Sequence, residues 1–111
     1  GRWNAGMKIA ALGSMLELGG TAAALHREMG AEAARQGVAR LYAFGPNAAD
    51  IVDGAKAEGI AHAEACETHQ AIAEAVAAVA APGSALLLKG SRGMRMERVR
   101  EGLETIFAAK G

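Results

Sequence analysis

Two rhythms of apolar positions alternate along the chain. Lys8-Ile9-Ala10-Ala11-Leu12-Gly13 is a short continuous apolar run, the pattern of a buried strand. Gly19-Gly20-Thr21 reads as a turn, with Thr21 placed to cap a helix. Ala22, Leu25, Met29 and Ala33 then recur at spacings of three and four, an amphipathic stripe that Gly37 closes. The unit repeats. Leu41-Tyr42-Ala43-Phe44-Gly45 is strand-like, and Pro46-Asn47 opens a helix with Ala48, Ile51, Val52 and Ala55 inward and Gly59 as its stop. Ile60 to Cys66 is a weaker strand, followed by Thr68 as a cap and by Ile72, Ala75, Val76 and Val79. After the turn at Pro82-Gly83, Ser84 to Leu88 predicts a fourth buried strand. A last helix is expected from about Met96 toward Ala109, with Val99, Leu103, Ile106 and Phe107 at helical spacing.

Four strand–helix pairs with short connections predict an α/β fold, a Rossmann-like open parallel sheet with helices on both faces. Right-handed crossovers give the strand order 3-2-1-4. Residues 1–7 lack periodicity and read as a leader or truncated end, leaving 8–111 as one domain. Composition supports one modest core: of 111 residues, 51% are hydrophobic and 22% charged. The 28 alanines predict close packing of helices on the sheet.

Charge narrows the partners. Twelve basic and twelve acidic residues cancel, so no overall field draws the chain to nucleic acid or a membrane surface. Aromatic content of 4% offers no stacking platform for single strands. The single cysteine, Cys66, cannot form an internal disulfide, and the longest apolar run, Ala75 to Ala81, is too short to span a bilayer. With no signal peptide visible, a cytoplasmic location is the expectation.

Candidate chemistry gathers after the fourth strand. Lys89, Arg92, Arg95, Arg98 and Arg100 place five cations in twelve residues, opposed by Glu97 alone. Arg98 and Arg100 fit a solvated helix face. Lys89, Ser91 and Arg92 follow a buried strand directly, at the end of the sheet where ligands collect. Cations at a helix amino terminus oppose the macrodipole by about 0.3–1 kcal/mol each, a conflict that an anionic ligand relieves.

Lys89-Gly90-Ser91-Arg92-Gly93-Met94-Arg95-Met96-Glu97 resembles a late motif of the Mur ligases, those that add D-alanyl-D-alanine to the peptidoglycan precursor. Leu12-Gly13-Ser14-Met15-Leu16-Glu17-Leu18-Gly19, followed by Leu25-His26-Arg27-Glu28, is similar to an earlier motif of the same family. The two stand in the family's order, and together they resemble its C-terminal domain. The resemblance implies a full-length enzyme of peptidoglycan synthesis that uses ATP and Mg2+, held mainly on another domain. That enzyme phosphorylates the carboxylate of UDP-N-acetylmuramoyl-tripeptide and lets the D-alanyl-D-alanine amine attack the acyl phosphate. This domain would supply no catalytic residue and would need no cofactor of its own. Its substrate-binding loop would be Lys89, Gly90, Ser91, Arg92, Gly93 and Met94, shaping the pocket for the dipeptide's carboxylate. Ser14, where the family often carries aspartate, and Glu17 are possible contributors. His26 matches a family histidine, but its place beside Leu25 on a helix favours a structural role. Trp3-Asn4-Ala5 echoes faintly a family Tyr-Asn-Ala-Asn-Pro segment, and no role is carried over to it.

His62, Glu64 and Cys66 alternate along one strand, with His69 three residues on. These are zinc-ligand types, yet successive Cα atoms on one strand face lie ~6–7 Å apart, awkward for a tetrahedron, so no metal is expected. The chain has no G-x-x-x-x-G-K-[ST] phosphate loop, no G-x-G-x-x-G after its first strand and no G-x-S-x-G elbow. It is therefore expected not to turn over ATP alone. The alternative to a ligase domain is a free-standing Rossmann-like module that binds a nucleotide or another small anion without catalysis.

Overall fold

The structure, a computed structural model, describes residues 7–15 and 19–110. In chain order the elements are β1 (Lys8–Gly13), α1 (Ala22–Arg35), β2 (Val38–Phe44), α2 (Ala48–Ala57), β3 (His62–Cys66), α3 (His69–Val79), β4 (Ala85–Lys89) and α4 (Glu97–Lys110). Short 3-10 turns at Gly19–Thr21 and Arg92–Met94 lead into α1 and α4. All strand pairs are parallel and the sheet order is β3-β2-β1-β4, as right-handed crossovers require.

β1 lies between two strands, with Ala10 opposite both Leu41 and Leu87. Ala10 and Leu12 join the core under α1 and α2, whereas Ile9 and Ala11 join the core under α3 and α4. Both faces of this strand are covered, so its sequence is an unbroken apolar run. Thr68 caps α3 as expected, its hydroxyl accepting the Ala71 N–H at 2.9 Å. Gly37, at φ +90°, ends α1 in the left-handed conformation.

The layer of α1 and α2 is held at backbone distance. A Cβ built on Gly30 would lie 1.9 Å from the Ile51 carbonyl oxygen, and one on Gly54 only 1.8 Å from that of Arg27. This contact corrects part of the expected inward stripe of α1, in which Ala33 is buried as expected and Leu25 is not. The buried residues are His26, Gly30, Ala31 and Ala33; Met29 is half-buried, and Leu25 is 45% exposed. Turning Gly30 toward α2 swings Leu25 toward β4 and puts Met29 at the margin of the core, on the same side. There, with Leu12, Met15 and Leu87, they line an open groove of about 440 Å³.

The ends of the sheet differ from the sequence expectation too. β4 is not buried: its residues alternate between exposed and half-buried, and Leu87 is 43% exposed. It is an edge strand, with Leu86 and Leu88 against the α3–α4 core and Leu87 on the groove. β2 begins earlier than predicted, at Val38, because that residue pairs with Lys8. β3 begins later, at His62, the first residue to pair with β2. On α3 the fully buried side chains are Ile72, Ala73 and Val76, with Ala75 and Val79 only partly covered.

Gly54→Ala should lower stability in urea unfolding by at least the ~1–3 kcal/mol typical of overpacking, because backbone stands where the methyl must go. Gly20→Ala, with nothing within 4 Å of its Cβ position, should change stability by less than about 0.5 kcal/mol. Equal effects would remove the helix contact from its place in the fold.

Candidate functional site at the carboxyl edge of the sheet

The strands end together on one edge, and Ser14 ties their loops. Its backbone N–H donates to the Phe44 carbonyl at the end of β2, at 2.9 Å. Its hydroxyl donates to the same carbonyl at 3.2 Å and accepts the Asn47 N–H at 2.9 Å, fixing the entry to α2. Its own carbonyl accepts the Ser91 N–H at 3.2 Å, from the loop after β4. The residue is 0% exposed. One buried serine thus joins three loops.

Small residues make that closeness possible. Gly45, at φ +106°, turns the chain where a Cβ would stand 2.6 Å from Ser14 Oγ and 2.7 Å from Met94 Sδ. A Cβ on Gly90 would lie 2.9 Å from Gly13 Cα, so the loops after β1 and β4 cross backbone on backbone. Met94 and Met96 fill the space beside Gly13.

The loop carrying the cations is shaped from within. Met94 N–H donates to the Ser91 carbonyl and Arg95 N–H to that of Arg92, making the 3-10 turn. Arg95 then takes the left-handed conformation, φ 49°, which ends the turn and starts α4 two residues on. Lys89, Arg92 and Arg95 are exposed. Among the described residues the ion pairs are Arg27 with Asp50, and Arg35 with Glu28, Glu32 and Glu58. None involves the cations of this loop. Arg92 and Arg95 precede α4 rather than lying in its first turn, which instead holds Glu97. Lys89 borders the apolar groove described above.

Of the residues singled out from sequence, Lys89, Gly90, Ser91, Arg92, Gly93 and Met94 form one continuous loop, and Ser14 touches it directly. Glu17 lies outside the described residues. His26 is structural in its bonding: it is 0% exposed, Nε2 accepts the Met15 N–H at 2.8 Å, and Nδ1 lies 2.6 Å from the Ala22 carbonyl. An amide can only donate, so Nε2 carries no proton and Nδ1–H is the donor.

His62, Glu64, Cys66 and His69 do not converge. Among the described residues no three His, Cys, Asp or Glu side chains come together as metal ligands. His69 starts α3 and turns elsewhere, its Nε2 lying 2.6 Å from the Met94 carbonyl and its ring 4.3 Å from that of Phe44. This contact and the Asn47 amide were missed from sequence. The parallel order of the strands was the available signal, since it brings the ends of β1, β2 and β4 side by side.

This edge, on this sheet order, defines a Mur ligase C-terminal domain, and the chain belongs to that family: residues 2–92 match the domain described as Mur ligase, glutamate ligase domain. Its relatives include UDP-N-acetylmuramoyl-tripeptide–D-alanyl-D-alanine ligase of Bacillus subtilis (strain 168), 33% identical over 99 residues. That alignment covers 85% of this chain and 21% of the relative. MurF ligase of Thermotoga maritima, solved in complex with ADP, superposes with a TM-score of 0.79 at 28% identity, covering 96% of this chain and 23% of that one. A MurF structure from Acinetobacter baumannii shares the fold, with a TM-score of 0.76 at 24% identity over 88% of this chain and 22% of that one. The chain therefore spans about a fifth of the length of these relatives. Among the described residues no helix is long and apolar enough to cross a membrane.

Ser14→Ala should cost about 1–3 kcal/mol in urea unfolding, because the Asn47 N–H loses its buried acceptor. A loss below about 0.3 kcal/mol would show that the hydroxyl does not hold the edge together. Cys66 supplies a second test. Burial, and then the neighbouring Glu64 carboxylate, push its thiol pKa up. The unfolded chain gives up this proton first, so its contribution to stability is full below the ordinary thiol range and declines as pH rises through it. Iodoacetamide should alkylate Cys66 more slowly than a free thiol at mildly alkaline pH, and the rate should climb over a higher pH range; a rate profile matching free cysteine would contradict this.

Proposed function

We propose that this chain is the domain that binds and closes over substrate in an ATP-dependent ligase joining D-alanyl-D-alanine to UDP-N-acetylmuramoyl-tripeptide through an acyl phosphate. Residues 8–111 would be the functional unit. The observation that carries the reading is the loop from Lys89 to Met94: its cations have no ion-pair partner among the described residues, while its backbone is fastened to buried Ser14. Exposed cations on a fixed loop at a sheet's carboxyl edge suit a small anion, and the dipeptide's carboxylate is one.

In this scheme Arg92 donates two parallel hydrogen bonds to the carboxylate, and Lys89 adds a point charge beside it. Gly90 lets the loop cross close to Gly13, Gly93 keeps the exposed turn free of a side chain, and Ser91 and Met94 fix the turn. ATP and Mg2+ would be held mainly by the rest of the enzyme. Among the described residues no three His, Cys, Asp or Glu side chains converge as metal ligands. The domain's contribution is to orient the amine and exclude water from a labile intermediate. A cytoplasmic location accords with a nucleotide-linked substrate. The free-standing anion-binding module is the less favoured reading, because the family and its relatives are ligases. Calorimetry with D-alanyl-D-alanine and with AMP separates the two.

Arg92→Ala in the full-length ligase should raise the KM for D-alanyl-D-alanine ~10–150-fold, the equivalent of a sheltered charge-assisted contact of about 1.5–3 kcal/mol. The KM for ATP should stay within about twofold. Arg92→Lys should recover part of the loss, because a point charge replaces a fork. Arg100→Ala, on the exposed face of α4, serves as the control. An unchanged dipeptide KM in Arg92→Ala would remove this arginine from the site.

A further inference from the structure

We propose that His69 is a positioning residue for the substrate loop, its Nε2–H holding the Met94 carbonyl so that the 3-10 turn presents Arg92 in one orientation. The inference rests on the reading of that loop as the dipeptide site, and goes beyond it by assigning a role to a residue on a different element.

Three observations meet at Met94. Its carbonyl lies 2.6 Å from His69 Nε2, and a carbonyl oxygen can only accept, so this nitrogen bears a proton. Its amide donates to the Ser91 carbonyl at 2.9 Å. Its side chain fills the space beside Gly13 and Gly45, at 2.9 and 2.7 Å from where their Cβ atoms would stand. Both backbone polar groups and the side chain are thereby committed, while Arg92, at the start of the same turn, is exposed. The turn is fixed and its charge is presented.

The imidazole is itself held in place. It leads α3 directly after Thr68, whose hydroxyl caps the helix. Its ring lies against Phe44 at the end of β2, tilted 34° with centroids 4.3 Å apart. Phe44 also provides the carbonyl that Ser14 engages through both its N–H and its hydroxyl. His69 therefore couples the start of α3, the end of β2 and the cation loop, which lies 25 residues farther along the chain. The two histidines brace the edge through the same ring nitrogen in opposite protonation states: His26 accepts through a bare Nε2, whereas His69 donates through a protonated one.

Two substitutions separate the parts of this role. His69→Phe keeps an aromatic ring against Phe44 and deletes the donor. His69→Gln keeps an N–H the same number of bonds from Cα as imidazole Nε2 and deletes the ring. In the full-length ligase, His69→Phe should raise the KM for D-alanyl-D-alanine roughly 3- to 10-fold with the ATP KM within about twofold, and His69→Gln should restore most of the loss. A merely structural residue would move both KM values and the thermal midpoint together, without rescue by glutamine, and that result would overturn the proposal. Arg92→Ala measured alongside tells the failures apart. If it raises the dipeptide KM while His69→Phe does not, His69 loses its role and the loop stands as the dipeptide site; if both are silent, the loop is not that site and the role of His69 falls with it. Ring 15N shifts of the wild-type chain give a readout that needs no variant to fold. An Nε2-protonated His69 is expected, and an Nδ1-protonated, Nε2-bare ring would overturn the assignment.

Discussion

The structure depends on a hydroxyl that donates and accepts at once. Ser14 Oγ gives its proton to the Phe44 carbonyl and takes the Asn47 N–H, so the end of β2 and the start of α2 are pinned to β1 by one atom. A carboxylate at this position could accept from Asn47 but would meet the Phe44 carbonyl oxygen as a second acceptor. Aspartate in place of Ser14 would thus change the type of bonding as well as the charge. The serine ties the loops without adding a negative charge beside the cations after β4.

Much of the fold was legible because it is written locally. A doubly covered strand must be apolar throughout, and β1 is; a helix stop in the left-handed region favours glycine, and Gly37 and Gly59 stand there at φ +90° and +94°. Of the buried face of α1 Ala33 was legible and Gly30 was not, since glycine carries no hydropathy and the helix is oriented by Gly30 against the Ile51 carbonyl. Hydropathy instead marked Leu25 and Met29, which line the groove beside β4.

The site divides in the same way. Its cations are neighbours in sequence, so the loop from Lys89 to Met94 could be read as a string. The groups that hold it could not. Ser14 reaches Ser91 through backbone atoms, and the Met94 carbonyl that His69 meets has no side-chain signature at all. His69 drew attention first as a neighbour of His62, Glu64 and Cys66, a constellation that strand geometry disperses. Histidine's chemistry was visible, but its partner was not.

The contact between α1 and α2 sets how the molecule can come apart. Where two helices meet through long side chains, rotamers can shift and the seam can loosen by degrees. Here the Ile51 and Arg27 carbonyls stand where the methyls of Gly30 and Gly54 would be, so no compliant layer lies between the backbones. On the opposite face the close approach is different, with Gly102 of α4 meeting the Ala73 methyl at 2.9 Å from its Cβ position, side chain rather than backbone. The two sides of the sheet therefore differ in how their helices meet. The α1–α2 side is a hard surface behind the loops at the carboxyl edge, while the α3–α4 side carries His69 and continues directly from the cation loop, so any loosening there would reach the loop itself.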